Sequence, residues 1–170
     1  MPGTRLVLMR HAKSAYPDGV IDHDRPLSER GLRDANASRL WLAGKGRQIL
    51  GPKPKILVST AMRTQQTWLC IQPAFDDADS ESSAAIYEAA VSSLVDLCAP
   101  LIESGRSTLL IGHNPGVELL ADFLSDPARS TSSWTRREKY PTSAIAALSF
   151  IDDSWARDSA WVEDFVVPRG

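Results

Sequence analysis

The chain has 170 residues, 19 Lys+Arg against 21 Asp+Glu for a net charge of −2, and 43% hydrophobic residues, which describes one domain over residues 1–170 able to hide a real core without disulfides or a structural metal. The near-neutral balance lacks the basic footprint that nucleic acid or an anionic bilayer requires, so neither is an expected partner. Apolar runs fall far short of the roughly 20 residues of a membrane span, and Leu6–Met9 is too short for a signal-peptide core, so a cytoplasmic protein is expected.

Leu6-Val7-Leu8-Met9 stops at Arg10-His11 and reads as a buried strand of a parallel sheet. A polar loop with Pro17, Asp18, Gly19 and Pro26 follows. Ser28 then caps a predicted helix through about Ala43, with Leu32, Ala35, Leu40 and Trp41 on or near one face, stopped by Gly44 and Gly46. Lys55-Ile56-Leu57-Val58 is a second strand, and Ser59 or Thr60 caps a helix to about Ile71. Asp76 to Ser83 reads as an acidic, serine-rich loop. Val91, Leu94, Val95, Cys98, Leu101 and Ile102 mark an amphipathic helix ended by Gly105.

Thr108-Leu109-Leu110-Ile111 is a third buried strand, broken by Gly112-His113-Asn114-Pro115-Gly116. Pro115 suits the first turn of a helix carrying Val117, Leu120, Phe123 and Leu124, which Asp126-Pro127 terminates. Ala128 to Lys139 is polar and loop-like, and Ala144 to Phe150 and Trp161 to Val167 are late β-type segments. Strands alternating with helices predict an α/β fold, a three-layer α/β/α sandwich on a mostly parallel sheet with room for an antiparallel edge. Cys70 and Cys98 lie on predicted helices and read as small buried hydrophobes.

Three strand ends deliver polar residues: Arg10-His11, Arg63 and His113. In an open α/β sheet the crevice beyond the carboxyl ends of the strands is where ligands bind. Taken singly, an arginine near a helix start is commonly a solvated surface residue and a histidine at a strand end a satisfied hydrogen-bonding one. Their shared position favours a common site. A cation in the first turn of the second helix opposes the helix dipole, and an anion would relieve that conflict. Two arginines, one or two histidines and helix N-termini describe a phosphate site.

Metal chemistry has less support. Zinc needs three or four close ligands, and the histidines are His11, His23 and His113 alone. Asp22-His23-Asp24 could hold a cation, although a hydrated charged loop is the plainer reading. Phosphate-loop, Cys-x-x-Cys and serine-hydrolase motifs are missing from the sequence, and no cofactor is expected.

These residues resemble the histidine phosphatase superfamily, the phosphoglycerate mutase-like proteins. Leu8-Met9-Arg10-His11-Ala12 is similar to its strand-ending Arg-His-Gly motif, with Ala12 in place of the glycine. Ser59-Thr60-Ala61-Met62-Arg63-Thr64-Gln65-Gln66-Thr67 resembles its second motif, and Ile111-Gly112-His113-Asn114 the segment with its second histidine. The short length, Asp24-Arg25-Pro26-Leu27-Ser28 and Thr142-Ser143-Ala144-Ile145-Ala146 look most like the small SixA-type phosphohistidine phosphatases. The resemblance implies a phosphoglycerate mutase-like fold and a metal-independent phosphohydrolase acting on a phosphorylated protein or a small phosphorylated molecule.

On that reading His11 is the nucleophile, a neutral imidazole whose pKa neighbouring cations lower, passing through a covalent phosphohistidine. Arg10 and Arg63 supply planar donor forks for the phosphoryl oxygens. The resemblance gives His113 a further hydrogen bond, as imidazolium, and brings Arg25 to the phosphate from its loop. Glu88, in Ile86-Tyr87-Glu88, is the nearest match to the family's proton donor. Asp18, Asp22 or Asp24 are alternatives, and a phosphohistidine substrate needs no donor. A small-metabolite phosphomonoesterase or mutase and an inactive phosphate-binding interaction module are the rival functions.

Overall fold

In a computed structural model, which describes residues 3–130, 139–152 and 154–170, six strands form one sheet: β1 (Arg5–Arg10), β2 (Lys55–Ser59), β3 (Asp79–Ser83), β4 (Thr108–Gly112), β5 (Ile145–Phe150) and β6 (Ala160–Val166). Their order is β3-β2-β4-β1-β5-β6. The first four are parallel, while β5 pairs antiparallel with β1 and β6 with β5. Every parallel crossover carries a helix, as parallel pairing requires.

Alternation along the strands builds two cores. Leu6, Leu8, Leu57, Leu110, Ala146 and Leu148 face Leu94, Cys98, Ile102, Val117 and Leu120, contributed by α4 (Val91–Glu103) and α5 (Gly116–Leu124). Val7, Met9, Ile56, Val58, Leu109 and Ile111 point the other way, onto Leu42, Leu50, Ile71 and Ala74, which follow or belong to α1 (Glu29–Trp41), α2 (Arg47–Leu50) and α3 (Met62–Ile71). A period of two turned against helices on both faces is the α/β/α sandwich the sequence predicts. No helix among the described residues is long and apolar enough to cross a membrane.

Several expectations are corrected. Ser28 does cap α1, its hydroxyl accepting from Gly31 N. The buried face is Gly31, Asp34, Ala35 and Ser38, however, with Leu32 and Leu40 exposed. Gly31 sits there because a Cβ would meet the Lys13 carbonyl oxygen at 2.0 Å. Gly44 and Gly46 do not stop the helix. The chain continues through a π-helical turn, Leu42–Gly46, into α2 and ends at Gly51, where φ is +76°. Burial of Leu42 and Leu50 outweighs the roughly 1 kcal/mol that a glycine costs in a helix.

The acidic segment after Asp76 is a loop only at first, since Asp79–Ser83 is the edge strand β3. Its side chains are nearly all exposed and polar, so it carries no hydrophobic alternation to read. Of the polar stretch Ala128 to Lys139, residues 131–138 lie outside the described residues. Cys70 and Cys98 are free thiols, and burial pushes Cys98 up to about 12.

Candidate active site

The site forms where β1, β2 and β4 end. His11 follows β1 directly, its backbone N–H bonded to Gly112 O at 3.0 Å and its carbonyl accepting from Ser143 N at 3.1 Å. The residue is 7% exposed. Its Nδ1 lies 2.7 Å from the Ala12 carbonyl oxygen, an acceptor only, so Nδ1 carries the proton and Nε2 keeps its lone pair. That lone pair faces Arg63, whose Nε donates to Nε2 at 3.3 Å. The His113 ring lies 5.2 Å from that of His11, centroid to centroid. The three strand-end residues, far apart in sequence, therefore meet.

The segment around Arg63 holds it by side chains with separate tasks. Neither Ser59 nor Thr60 caps α3: the cap position is Ala61, which has no polar side chain to offer, and Arg63 becomes the second helical residue. Thr64 Oγ1 and Gln65 Nε2 instead donate to Ser59 O at 2.8 and 2.7 Å, tying the first turn back to β2. Thr67 Oγ1 donates to Arg63 O and accepts from Ala12 N, joining the α3 turn to the β1 end. Gln66 Oε1 accepts from Leu27 N at 2.7 Å, anchoring the loop before α1. Ala12 is fully buried and has no positive φ, so the family's glycine is dispensable at this turn.

Ser59 and Thr60 serve the site directly. Ser59 Oγ lies 2.7 Å from His113 Nε2, and Thr60 Oγ1 lies 3.1 Å from His23 Nε2. Arg10 Nη1 and Asn114 Nδ2 both donate to the Tyr140 carbonyl, at 2.9 and 3.0 Å. The buried Tyr140 hydroxyl donates to Leu8 O and accepts from Ala146 N, so one residue holds the Arg10 side chain by its carbonyl and ties β1 to β5 by its hydroxyl. Tyr140 carried no sequence signal.

Asp22 is the principal acidic neighbour of these groups. Its Oδ2 accepts from Arg63 Nη2 at 3.0 Å and from Tyr87 Oη at 2.8 Å, and its backbone oxygen from Arg63 Nη1 at 2.7 Å. Oδ1 accepts from Arg25 Nε and Nη2 at 3.0 and 2.7 Å. Arg25 thus reaches Arg63 through Asp22, with its guanidinium 4.1 Å from the Tyr16 ring. The Tyr87 hydrogen bond and Arg63 hold the Asp22 carboxyl at about 2. It is a carboxylate near neutrality and an unsuitable proton donor. Asp24 pairs with His23. Glu88, with φ of 51°, lines a cavity of about 570 Å³ together with Asp22, Arg63, His113 and Asn114. Tyr87, its neighbour in the matched segment, contacts the His113 ring edge-on at 5.6 Å and went unsuspected because only the carboxylate was matched to a role.

Electrostatically the site favours neutral imidazoles and an anion. Burial first, then His113, Arg63 and Arg10, lower His11 to about 3 despite its bond to Ala12. Burial and Arg63 lower His113 to about 4. Near neutrality His113 is therefore a neutral imidazole and not the expected imidazolium, because desolvation and a nearby guanidinium both oppose the charge. Arg10 Nε, Arg25 Nη1 and His113 Nδ1 are buried without a hydrogen-bond partner. Buried polar atoms without a partner are rare and costly, and Arg10 Nε and His113 Nδ1 belong to residues at the strand ends, where a ligand would satisfy them.

No family model matches the sequence. The uncharacterized protein Rv1276c of Mycobacterium tuberculosis is 37% identical over 166 residues, covering 95% of this chain and all of that protein. The crystal structure of a protein assigned as the phosphohistidine phosphatase SixA of Agrobacterium tumefaciens is 28% identical, with TM-score 0.78 over 98% of this chain and 99% of the other. A similarly assigned SixA structure from Nakamurella multipartitia is 27% identical, with TM-score 0.77 over 99% of both chains. With the phosphoglycerate mutase-like fold and the three motifs in place, the chain belongs to the histidine phosphatase superfamily, in its SixA-type branch, and is a phosphatase.

Proposed function

We propose that this phosphatase hydrolyses phosphohistidine on a protein, through a covalent phosphohistidine at His11 and without a metal ion. The observation that carries the reading is the Nδ1 bond of His11 to Ala12, which leaves Nε2 unprotonated beside Arg63. The Nε2 lone pair attacks phosphorus while the bond to the substrate nitrogen breaks, and its electron pair leaves with the substrate imidazole, which takes a proton from solvent. Water then attacks the phosphoenzyme, the phosphorus–Nε2 bond returns its pair to His11, and orthophosphate departs. Arg10 and Arg63 offset charge on the equatorial oxygens, the task a metal performs in other phosphoryl transfers. His113 gains basicity when a dianion arrives and donates to it as imidazolium.

An imidazole leaving group needs less acid assistance than an alkoxide, which fits a site whose nearest carboxylate, Asp22, stays ionised. A second reading, a phosphomonoesterase of small metabolites, is favoured by one observation: Glu88 lines the same cavity as Arg63 and His113 and could protonate an ester oxygen.

The test replaces His11 by Ala and compares hydrolysis of a phosphohistidine protein with that of phosphate esters, with and without Glu88→Gln. Turnover and trapped phosphoenzyme should both vanish in His11→Ala, and EDTA should not affect the native chain. Undiminished turnover in that variant refutes the mechanism. A preference for esters that is lost in Glu88→Gln selects the second reading.

A further inference from the structure

Beyond His11 and His113 a second chamber of about 450 Å³ opens on the far side of Asn114, which lines both cavities. Its walls bring together Arg10, Lys13, Arg30, Lys139 and Arg169 against one lining carboxylate, Glu118. Glu118 is engaged by Asn114 Nδ2 at 2.7 Å. Buried Asp34 holds Arg30 at 3.4 Å and Arg169 at 3.2 Å, which orients the two guanidinium groups and leaves each with further donors. Arg169 Nη1 also donates to Thr142 O, so its planar group is fixed at the rim. Lys13 lies 5.4 Å from the Tyr16 ring centre, and Arg10 Nε is buried without a partner.

Five cations around so small a volume repel one another, and two carboxylates do not balance them. The exposed charges of the β3 edge, by contrast, are matched pair by pair. Forked guanidinium donors with a surplus of positive charge suit a phosphate or a carboxylate. Arg10 belongs to both places: it ends β1 next to His11 and forms a wall of the chamber.

We propose that this chamber is a second anion subsite, which takes an additional phosphate or carboxylate carried by the same substrate whose phosphoryl group sits at His11. The assignment of the first group rests on the function proposed above; the chamber itself rests on its own lining. An acidic side chain beside the phosphorylated residue of a protein would reach it as a carboxylate, and a doubly phosphorylated small molecule would reach it as a phosphate.

The experiment is calorimetric titration of the full chain with non-hydrolysable probes of matched length: alkylphosphonates, ω-phosphonocarboxylates and α,ω-diphosphonates with linkers of about two to six methylenes. The best probe with two anionic head groups should bind about tenfold or more tightly than the alkylphosphonate of the same length, the gain of one charge-assisted contact. The double variant Lys13→Ala/Lys139→Ala should lose that advantage and keep its alkylphosphonate affinity within about twofold, as expected for charges that line the chamber and not the cavity beside His113. Preference for the diphosphonate assigns the group as phosphate, and preference for the phosphonocarboxylate as carboxylate. Equal binding of all probes, a parallel loss of all three in the variant, or no binding of any of them overturns the proposal. Because binding is read without turnover, failure to hydrolyse any phosphate compound would refute the proposed function separately.

Discussion

Both ends of the sheet are crowded with charge, yet only one is built as a site. At the amino ends, Lys55 pairs with Asp79 and Glu81 at 3.3 and 2.9 Å and Arg106 with Asp79 at 2.8 Å. The carboxylates there are about half exposed and every cation has its partner. At the carboxyl ends, the Arg63 side chain is 7% exposed, His11 and His113 are buried, and Arg10 Nε and His113 Nδ1 have no hydrogen-bond partner. Charge density alone therefore says little about function. Burial without compensation says much more, because leaving a buried polar group unpaired costs free energy that a bound ligand restores.

That contrast can be broken by experiment, beginning with the site. Arg63→Ala should lower kcat on the order of 10²- to 10³-fold, as for loss of one preorganised donor, measured by steady-state hydrolysis of an aryl phosphate. A variant that retains full activity would make Arg63 no more functional than Arg106. The second effect concerns pH. Since kcat/KM reports groups of the free enzyme, and His11 and His113 sit at about 3 and about 4, activity corrected for substrate ionisation should hold down to about pH 5. A nucleophile of ordinary pKa would by then have lost about 30-fold.

The same shifts set a stability trend. Between the native values and the ordinary histidine value near 6.5, the unfolded chain binds more protons than the folded one, so stability falls as pH drops through that window. Denaturant unfolding at pH 7 and pH 5 should show the difference. Tyr140→Phe should destabilise by about 1 to 3 kcal/mol, because Leu8 O and Ala146 N lose a buried partner, with the loss read in the denaturant midpoint. Asp22→Asn should tighten inhibition by orthophosphate roughly two- to fivefold, the worth of an exposed ion pair that the phosphate no longer displaces. Smallest of all, Arg106→Ala should cost under about 1 kcal/mol and leave turnover unchanged.

How far the sequence could be read depended on the kind of signal each residue carries. Leu6–Met9, Lys55–Val58 and Thr108–Ile111 are apolar runs of strand length, and each became a strand, with the polar residue that follows it placed in the site. Asp79–Ser83 pairs through its backbone at an exposed edge, so its side chains announce nothing. Gly44 and Gly46 have the local signature of a helix stop, but Leu42 and Leu50 bury against the sheet and carry the helix past them. Within the site, Arg10, His11, Arg63 and His113 were legible from motif spacing. Tyr87 and Tyr140 were not, since each acts through contacts with residues distant in the chain.

Local pattern and motif order were sufficient for the α/β architecture, the family and the four groups that meet at the strand ends, because hydrophobic periodicity and the residue types phosphate chemistry needs are both written along the chain. The neutral state of the two imidazoles, the capture of Arg63 by Asp22 and the basic chamber behind Asn114 depended on burial and on distances between remote segments. Those quantities exist only once the chain has folded, when desolvation and proximity assign each charge its environment.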